Sequence, residues 1–385
     1  MLDEKARALF MKLLSEYYAR ERRIAPDHVE QREFGFGDFE NKIAYRHYAF
    51  KSEEQLSAYL AKEAPPFVSY SQAYYEKPDA RPMENKKLLG AEMVFDLDAD
   101  DLNLKCKLEH GSSWVCENCL ESVKAETVKL IEDFLLPDFG FSEHELKVNF
   151  SGNRGYHVHV SSDRIFSLSH EARKEMSDYI TANGISAAAL FPTLGLRGVG
   201  LRGPKPTDYG WGGRFARGVI SAINSGTSAL IDLGIDSKTA NMLTRKRASI
   251  ITGITAGNWD MINIPKKAEF WSNVLKSLSV KQSDSIDKNV TIDMHHIIRL
   301  PETIHGDTGL IAKKLGSLSE LDRFDPMNDA IAFKEGRAKI HAAKVPKFHM
   351  NNGQFGPYND QDVELPIYAA LYLVLKRVAT LVDVF

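Results

Sequence analysis

The stretch Glu92-Met93-Val94-Phe95-Asp96-Leu97-Asp98 carries two carboxylates at i and i+2. On a strand that spacing sends Asp96 and Asp98 to one face, roughly 7 Å apart, while Met93, Phe95 and Leu97 turn to the other. Carboxylates held this way repel one another unless a cation lies between them, and an all-oxygen site suits a hard divalent ion such as Mg²⁺ or Mn²⁺. Phosphoryl-transfer enzymes use such sites. The competing account is a strand running out into the acidic turn Asp98-Ala99-Asp100-Asp101. Just downstream, Cys106, His110, Cys116 and Cys119 have the spacing C-x3-H-x5-C-x2-C. That spacing predicts a closed tetrahedral zinc site, structural rather than catalytic. Buried unpaired thiols are the alternative. Thiolates bind zinc in preference to Mg²⁺, so the two metal sites are expected to be separate.

Two further groups could recognise phosphate. In Ser151-Gly152-Asn153-Arg154-Gly155-Tyr156-His157-Val158-His159, a tight polar turn leads into a strand with both histidines on one face. Glycines let a backbone approach an anion, and Arg154 and His157 supply donors. A glycine hairpin with two exposed histidines is the plainer alternative. Later, Asp287 and Asp293 precede Arg299-Leu300-Pro301 and His305-Gly306. By itself this is an unremarkable strand and loop.

These groups need a scaffold. A chain of 385 residues, 43% hydrophobic and 26% charged, can bury a large core in two domains or in one with an insert. Helices are predicted over 3–23, Ser52–Lys62 (Ser52 as N-cap, Gln55 completing a capping box), Glu121–Leu136 and Ser167–Asn183. Strands are predicted over Ile43–Phe50, the acidic stretch, Lys147–Phe150, Tyr156–Val160 and Ile286–Asp293, and a strongly apolar helix over Ile367–Leu381. Arg32, Glu33, Arg46 and His47 read as surface groups. Gly195–Gly218 is rich in Gly, Pro and Arg, and Ala222–Leu275 reads as short helices. Arg197, Arg202, Lys205, Arg214 and Arg217 there make either a nucleic-acid-facing patch or a solvated loop surface. The domains expected are a core over 1–164 containing the knuckle 106–119, a helical insert over 165–285, and the rest of the core over 286–385. The amphipathic charged start holds no apolar run of signal or membrane-span length, so a cytoplasmic protein without a membrane partner is the default expectation. The net charge of −3 argues against a broad nucleic-acid-binding surface.

Taken in order, Arg32-Glu33-Phe34-Gly35-Phe36, Val94–Asp98, the Cys/His cluster, Ser151-Gly152-x-Arg154-Gly155-x-His157, Asp287-x2-Val290 with Arg299-Leu300-Pro301-x3-His305-Gly306, and Glu364–Ala370 resemble the small, catalytic subunit of DNA primase in its archaeal form. The resemblance implies an α+β fold: a mixed-sheet cradle for the acids, a zinc knuckle, and a small helical subdomain inserted before the last motif. It implies that Asp96, Asp98 and Asp287 hold catalytic Mg²⁺ or Mn²⁺, with Asp293 as second choice for the third acid. Ser151, Arg154, His157, Arg299 and His305 are implied as triphosphate contacts, and Glu33 and Arg46 as flanking positions. Where the family often has a basic residue after this histidine, the chain has Asp307, so no phosphate role is carried over there. The implied activity is synthesis of short primers on single-stranded DNA from NTPs, with extension by dNTPs, and the implied partner is a primase large subunit. The alternatives are a primer-dependent gap-filling polymerase, a zinc-stabilised nucleic-acid-binding subunit without activity, and a metal-dependent nuclease.

Overall fold

The computed structural model describes residues 2–385 except 22–23, 112–113, 194–195, 197, 262–263, 265 and 284–285. Arg197 therefore lies outside the described residues. Two units are distinguished: residues 1–128, 142–173 and 286–385, and residues 129–141 and 174–285.

The first unit holds the strands. In chain order they are β1 (Phe34–Gly37), β2 (Tyr45–Tyr48), β3 (Phe67–Ser71), β4 (Ala73–Tyr75), β5 (Leu88–Ala91), β6 (Met93–Asp98), β7 (Leu146–Phe150), β8 (Gly155–Val160), β9 (Ile297–Arg299), β10 (Lys314–Leu315), β11 (Arg337–Val345), β12 (Phe348–Met350), β13 (Gly353–Phe355), β14 (Tyr358–Pro366) and β15 (Ala379–Val384). Two four-stranded sheets, β2-β1-β3-β9 and β10-β7-β8-β6, carry the residues singled out above. A third sheet is ordered β14-β11-β15, and two hairpins are formed by β4-β5 and β12-β13. The class is α+β, and each of these ladders is antiparallel.

Strand β6 is buried on both faces: Met93, Val94, Phe95 and Leu97 are all fully enclosed. Its apolar side chains fix the register against β8, in which Asp96 lies opposite His157 and Asp98 opposite Gly155. Gly155 is required there, because a Cβ would stand 2.2 Å from the Leu97 carbonyl oxygen.

Several elements depart from expectation. The first helix spans Glu4–Arg20, and the strand predicted over Ile43–Phe50 shortens to β2. The Ser52 hydroxyl accepts the Gln55 N–H, but the Gln55 side chain accepts from Lys51 rather than Ser52, shifting the capping box by one residue. The helix predicted to start at Glu121 starts at Glu117 and widens into a π turn over Ile131–Leu135. Ile286–Asp293 is not a strand. Asp287 caps a short helix, Lys288–Ile292, by accepting the Asn289 N–H at 2.8 Å. The apolar C-terminal helix stops at Leu375, where Arg377 adopts φ 62°, and β15 follows. Arg32 and Glu33, read as surface groups, are 1% and 0% exposed.

The second unit is helical, with Gly210–Ser225 its longest helix outside Lys267–Ser283. It has its own aromatic core of Phe191, Phe215, Trp259 and Trp271, the two indoles 4.8 Å apart edge to face. Arg214 turns inward to Asp138 at 2.6 Å and packs over Phe134, and Arg217 donates to the Pro206 carbonyl. These two arginines are held by the unit's own fold rather than presented as a patch.

Candidate active site

The acidic end of β6 gathers carboxylates from three segments. Asp96 and Asp98 come from the strand, Asp101 from the turn after it, and Asp287 from the helix cap. The Asp287 N–H donates to the Asp96 carbonyl at 3.0 Å, which pins this cap beside the strand. Burial, and then the charges of Asp98, Asp287 and Asp101, push the Asp96 carboxyl up to about 7. Asp101 is raised by burial and then by Asp98 and Asp287. Asp293, by contrast, closes the far end of the short helix and accepts the His295 N–H at 2.9 Å. The structure therefore brings Asp287, not Asp293, to Asp96. Asp101 carries no signal in the chain beyond its place in an acidic turn.

Arg154 is the near counter-charge. It reaches Asp98 at 2.8 Å and Asp100 at 2.5 Å. Its turn is organised by Ser151, whose hydroxyl accepts the N–H groups of Gly155 (3.1 Å) and Asn153 (3.4 Å). Gly152 has φ 82°, and a Cβ on it would meet the His305 Cβ at 2.8 Å, so the turn and the His305 loop are in contact. His157 is buried rather than exposed, with Nε2 3.5 Å from Asp96 and Nδ1 without a hydrogen-bond partner among the described residues. Burial holds its pKa well below the usual histidine value.

His305 is 4% exposed and packs edge-on to Phe67, with Arg299 over the same ring. Burial, then Arg299, Lys42, Lys376 and Arg154, keeps it neutral. Its Nδ1 accepts the Asp307 N–H at 3.2 Å, which assigns the proton to Nε2 and makes that atom a donor. Burial lowers Arg299 to about 10, and the one hydrogen bond of its guanidinium among the described residues is a long one to the Val68 carbonyl, 3.3 Å. Glu33 and Arg46 pair at 2.8 Å; Glu33 also meets the enclosed Lys86 at 2.7 Å, and Arg46 donates to the His295 carbonyl. They brace the sheet beside the site.

Glu92, at the start of β6, anchors the strand from the other end. It accepts Arg32 Nη2 at 2.7 Å, the Tyr74 hydroxyl at 2.7 Å and His159 Nδ1 at 3.1 Å. Burial alone would raise its pKa, but His159 and Arg32 hold it well below the usual carboxylate range.

The four zinc-spaced residues converge. The ligand atoms of Cys106, His110, Cys116 and Cys119 all lie within 4.8 Å of one another. Cys119 Sγ is 3.6 Å from Cys106 Sγ and 3.7 Å from Cys116 Sγ. Tetrahedral zinc–thiolate bonds of about 2.3 Å put sulfurs roughly 3.8 Å apart, so the group fits zinc. His110 Nδ1 donates to the Gly111 carbonyl at 2.7 Å, leaving the Nε2 lone pair toward the cluster. The three proposed catalytic carboxylates do not form so tight a group, since Asp98 is turned onto Arg154 and Asp287 caps a helix. Their donor set, oxygen alone with Asp96 raised by burial and by its acidic neighbours, nonetheless suits a hard divalent cation.

Zinc removal gives a defined expectation. Trp114, 6% exposed, sits inside the Cys106–Cys119 segment against Phe348 and Tyr372. Cys116→Ser is expected to lose stoichiometric zinc, red-shift tryptophan emission and lower Tm by several degrees. Zinc content and emission maxima of parent and variant check this; full zinc in the variant would contradict the ligand assignment.

Comparison with known proteins bears on what such a site does. The family described as DNA primase small subunit matches residues 95–316. A protein named DNA primase small subunit PriS from Methanothrix thermoacetophila is 33% identical over 98% of this chain and 99% of its own length. Proteins of the same name from Methanosarcina acetivorans and Picrophilus torridus are 32% and 31% identical, covering 98% and 97% of this chain and 97% and 98% of their own lengths. Among the described residues no helix is long and apolar enough to cross a membrane.

Proposed function

The chain belongs to the DNA primase small subunit family, and on that premise we propose that it is the catalytic subunit of a primase. It makes short primers from NTPs on a single-stranded DNA template, extends them with dNTPs as well, and works with a large subunit. The observation that carries this is the junction of β6 and β8, where Asp96 and Asp98, with Asp287 beside them, face the Ser151–His157 turn and strand.

The reaction joins a 3′-hydroxyl to the α-phosphate of an NTP and releases pyrophosphate. Asp96, Asp98 and Asp287 would hold Mg²⁺ or Mn²⁺, which supplies Lewis acidity at the attacking and leaving oxygens. The protein's own part is positioning. Arg154, when a nucleotide competes with Asp98 and Asp100 for it, and Arg299, His157 and His305 Nε2–H together orient the triphosphate and offset its charge. A neutral His305 donates one hydrogen bond without needing protonation, so its role is independent of pH near neutrality.

Asp96 gives the site a pH signature. In the metal-free fold its carboxyl is raised to about 7 from 3.8. Between those values the folded state binds a proton that the unfolded chain releases, so this group's contribution to stability falls as pH rises from about 4 to about 7. Cations compete with the same proton, so apparent metal affinity is expected to rise as pH approaches about 7 and level off above it. Melting curves without added divalent ion, run from pH 5 to 8, should decline more steeply for the parent than for Asp96→Asn. Parallel profiles would contradict the assignment.

The direct assay is labelled synthesis on single-stranded template with and without a supplied primer, with and without the cognate large subunit. Products without primer support primase; products only with primer would identify a gap-filling polymerase. No incorporation under any condition would leave a zinc-stabilised binding subunit.

A further inference from the structure

One cation beside the phosphate-facing turn belongs to none of the motifs above. Lys376 closes the apolar helix Ile367–Leu375, far along the chain, and its ammonium donates to Asn153 Oδ1 at 3.0 Å. Asn153 stands between Ser151 and Arg154 in the turn. The lysine is half-buried along the Tyr372 ring, and among the described residues no carboxylate lies within ion-pairing distance of it. Asp98, Asp100 and Asp307 are its nearest acidic influences, yet Asp98 and Asp100 are taken by Arg154 and Asp307 faces Lys42 at 3.9 Å. An ammonium offers three donors, and an amide oxygen uses one.

Arg299 is in the same condition: half-buried, without a carboxylate partner among the described residues, and bonded to one backbone carbonyl. Lys42, Arg154, Arg299 and Lys376 come from four separate segments, and all four bear on His305. Arg154 and Lys42 have carboxylate partners, but Arg299 and Lys376 have none among the described residues, and holding two such cations by one neutral histidine is unfavourable until an anion enters. The plain structural account is a lysine that caps a helix C-terminus, favoured by the helix dipole, and ties it to the turn. That account explains the bond to Asn153 but not why Arg299, a second cation without a carboxylate partner among the described residues, packs over the same Phe67 ring as His305, whose loop meets the turn at Gly152.

We propose that Lys376 is a phosphate ligand of the nucleotide site, donating to the terminal phosphates of a bound triphosphate beside Arg299 and His305. The C-terminal segment thus contributes directly to substrate binding. This rests on the triphosphate reading of the site given above. Burial lowers the Lys376 pKa only to about 8, so the ammonium remains charged at neutral pH.

The test is equilibrium binding of ATP and AMP, with Mg²⁺, to the zinc-loaded full chain and to Lys376→Met and Lys376→Arg, alongside melting curves. The expected result is a parent preference for ATP over AMP that falls about tenfold or more in Lys376→Met, through weaker ATP binding alone. Lys376→Arg should restore most of it, and the Met variant's Tm should not fall. Equal loss of ATP and AMP affinity with a lower Tm would show a structural tie and overturn the proposal, as would an unchanged ATP preference in Lys376→Met. A parent that binds both nucleotides without preference would overturn the triphosphate reading itself, a failure separable from that of Lys376.

Discussion

Asp96→Ala is expected to lower metal-dependent nucleotide incorporation by about a thousandfold or more, with the fold intact. A barrier change of about 4 kcal/mol gives that factor. Asp96 lies opposite His157, and its main-chain carbonyl accepts the Asp287 N–H, so no neighbour reproduces the position of its carboxylate. The same substitution should not lower stability. Asp96 is an acid whose neighbours Asp98, Asp287 and Asp101 disfavour its charge, and alanine removes that repulsion. Activity falling while Tm holds or rises is a pairing that a merely structural carboxylate would not give. Incorporation assays and melting curves on the same preparations check it. Near-normal synthesis by a folded Asp96→Ala protein would remove the metal assignment.

Arg32→Ala is expected to do the reverse. Its guanidinium side chain is 2% exposed, pairs with Glu92 at 2.7 Å, donates to the Ser71 and Gln72 carbonyls at 2.9 and 3.0 Å, and lies over the Tyr74 ring at 3.6 Å. Among the described residues, alanine leaves the enclosed Glu92 carboxylate with His159 and Tyr74 as side-chain partners, and takes a donor from the Ser71 and Gln72 carbonyls, the latter keeping the Glu92 N–H at 3.0 Å. Breaking a buried pair from one side costs about 3–5 kcal/mol. At roughly 2–4 °C per kcal/mol, Tm should fall by about 10 °C. Activity per folded molecule at low temperature should persist, since Arg32 is remote from the acidic end of β6. Adding Glu92→Gln to Arg32→Met should recover part of the loss by removing the orphaned charge. A Tm change under about 2 °C for Arg32→Ala would contradict this account of the network.

These two residues also mark what the chain made legible. The acidic end of β6 was readable because its carboxylates share a strand, where a period of two fixes their relative direction. The Cys/His cluster was readable because zinc imposes local spacing. Arg32 and Glu33 were not: burial of a charge depends on a partner, and Glu92, Ser71 and Lys86 are distant in sequence. Ile286–Asp293 misled because Val290, Thr291 and Ile292 favour strands, while the capping carboxylate of Asp287 decided for a helix. The C-terminal helix was overextended for lack of a breaker, since neither Lys376 nor Arg377 announces one, although the β-branched residues of Val378–Val384 suit a strand. Lys376 itself was invisible as a site residue, because its nearness to Asn153 comes from tertiary packing across more than two hundred residues of chain.

We propose that Asp96, Asp98 and Asp287 form one metal-binding site for primer synthesis. De novo synthesis on single-stranded template with Mg²⁺ or Mn²⁺, by the parent with its large subunit and by Asp287→Ala and Asp293→Ala in the same complex, tests it most directly. The account predicts short products from the parent and from Asp293→Ala, and none from Asp287→Ala. Products from a folded Asp287→Ala complex at parental rates, or their loss only with Asp293→Ala, would contradict it.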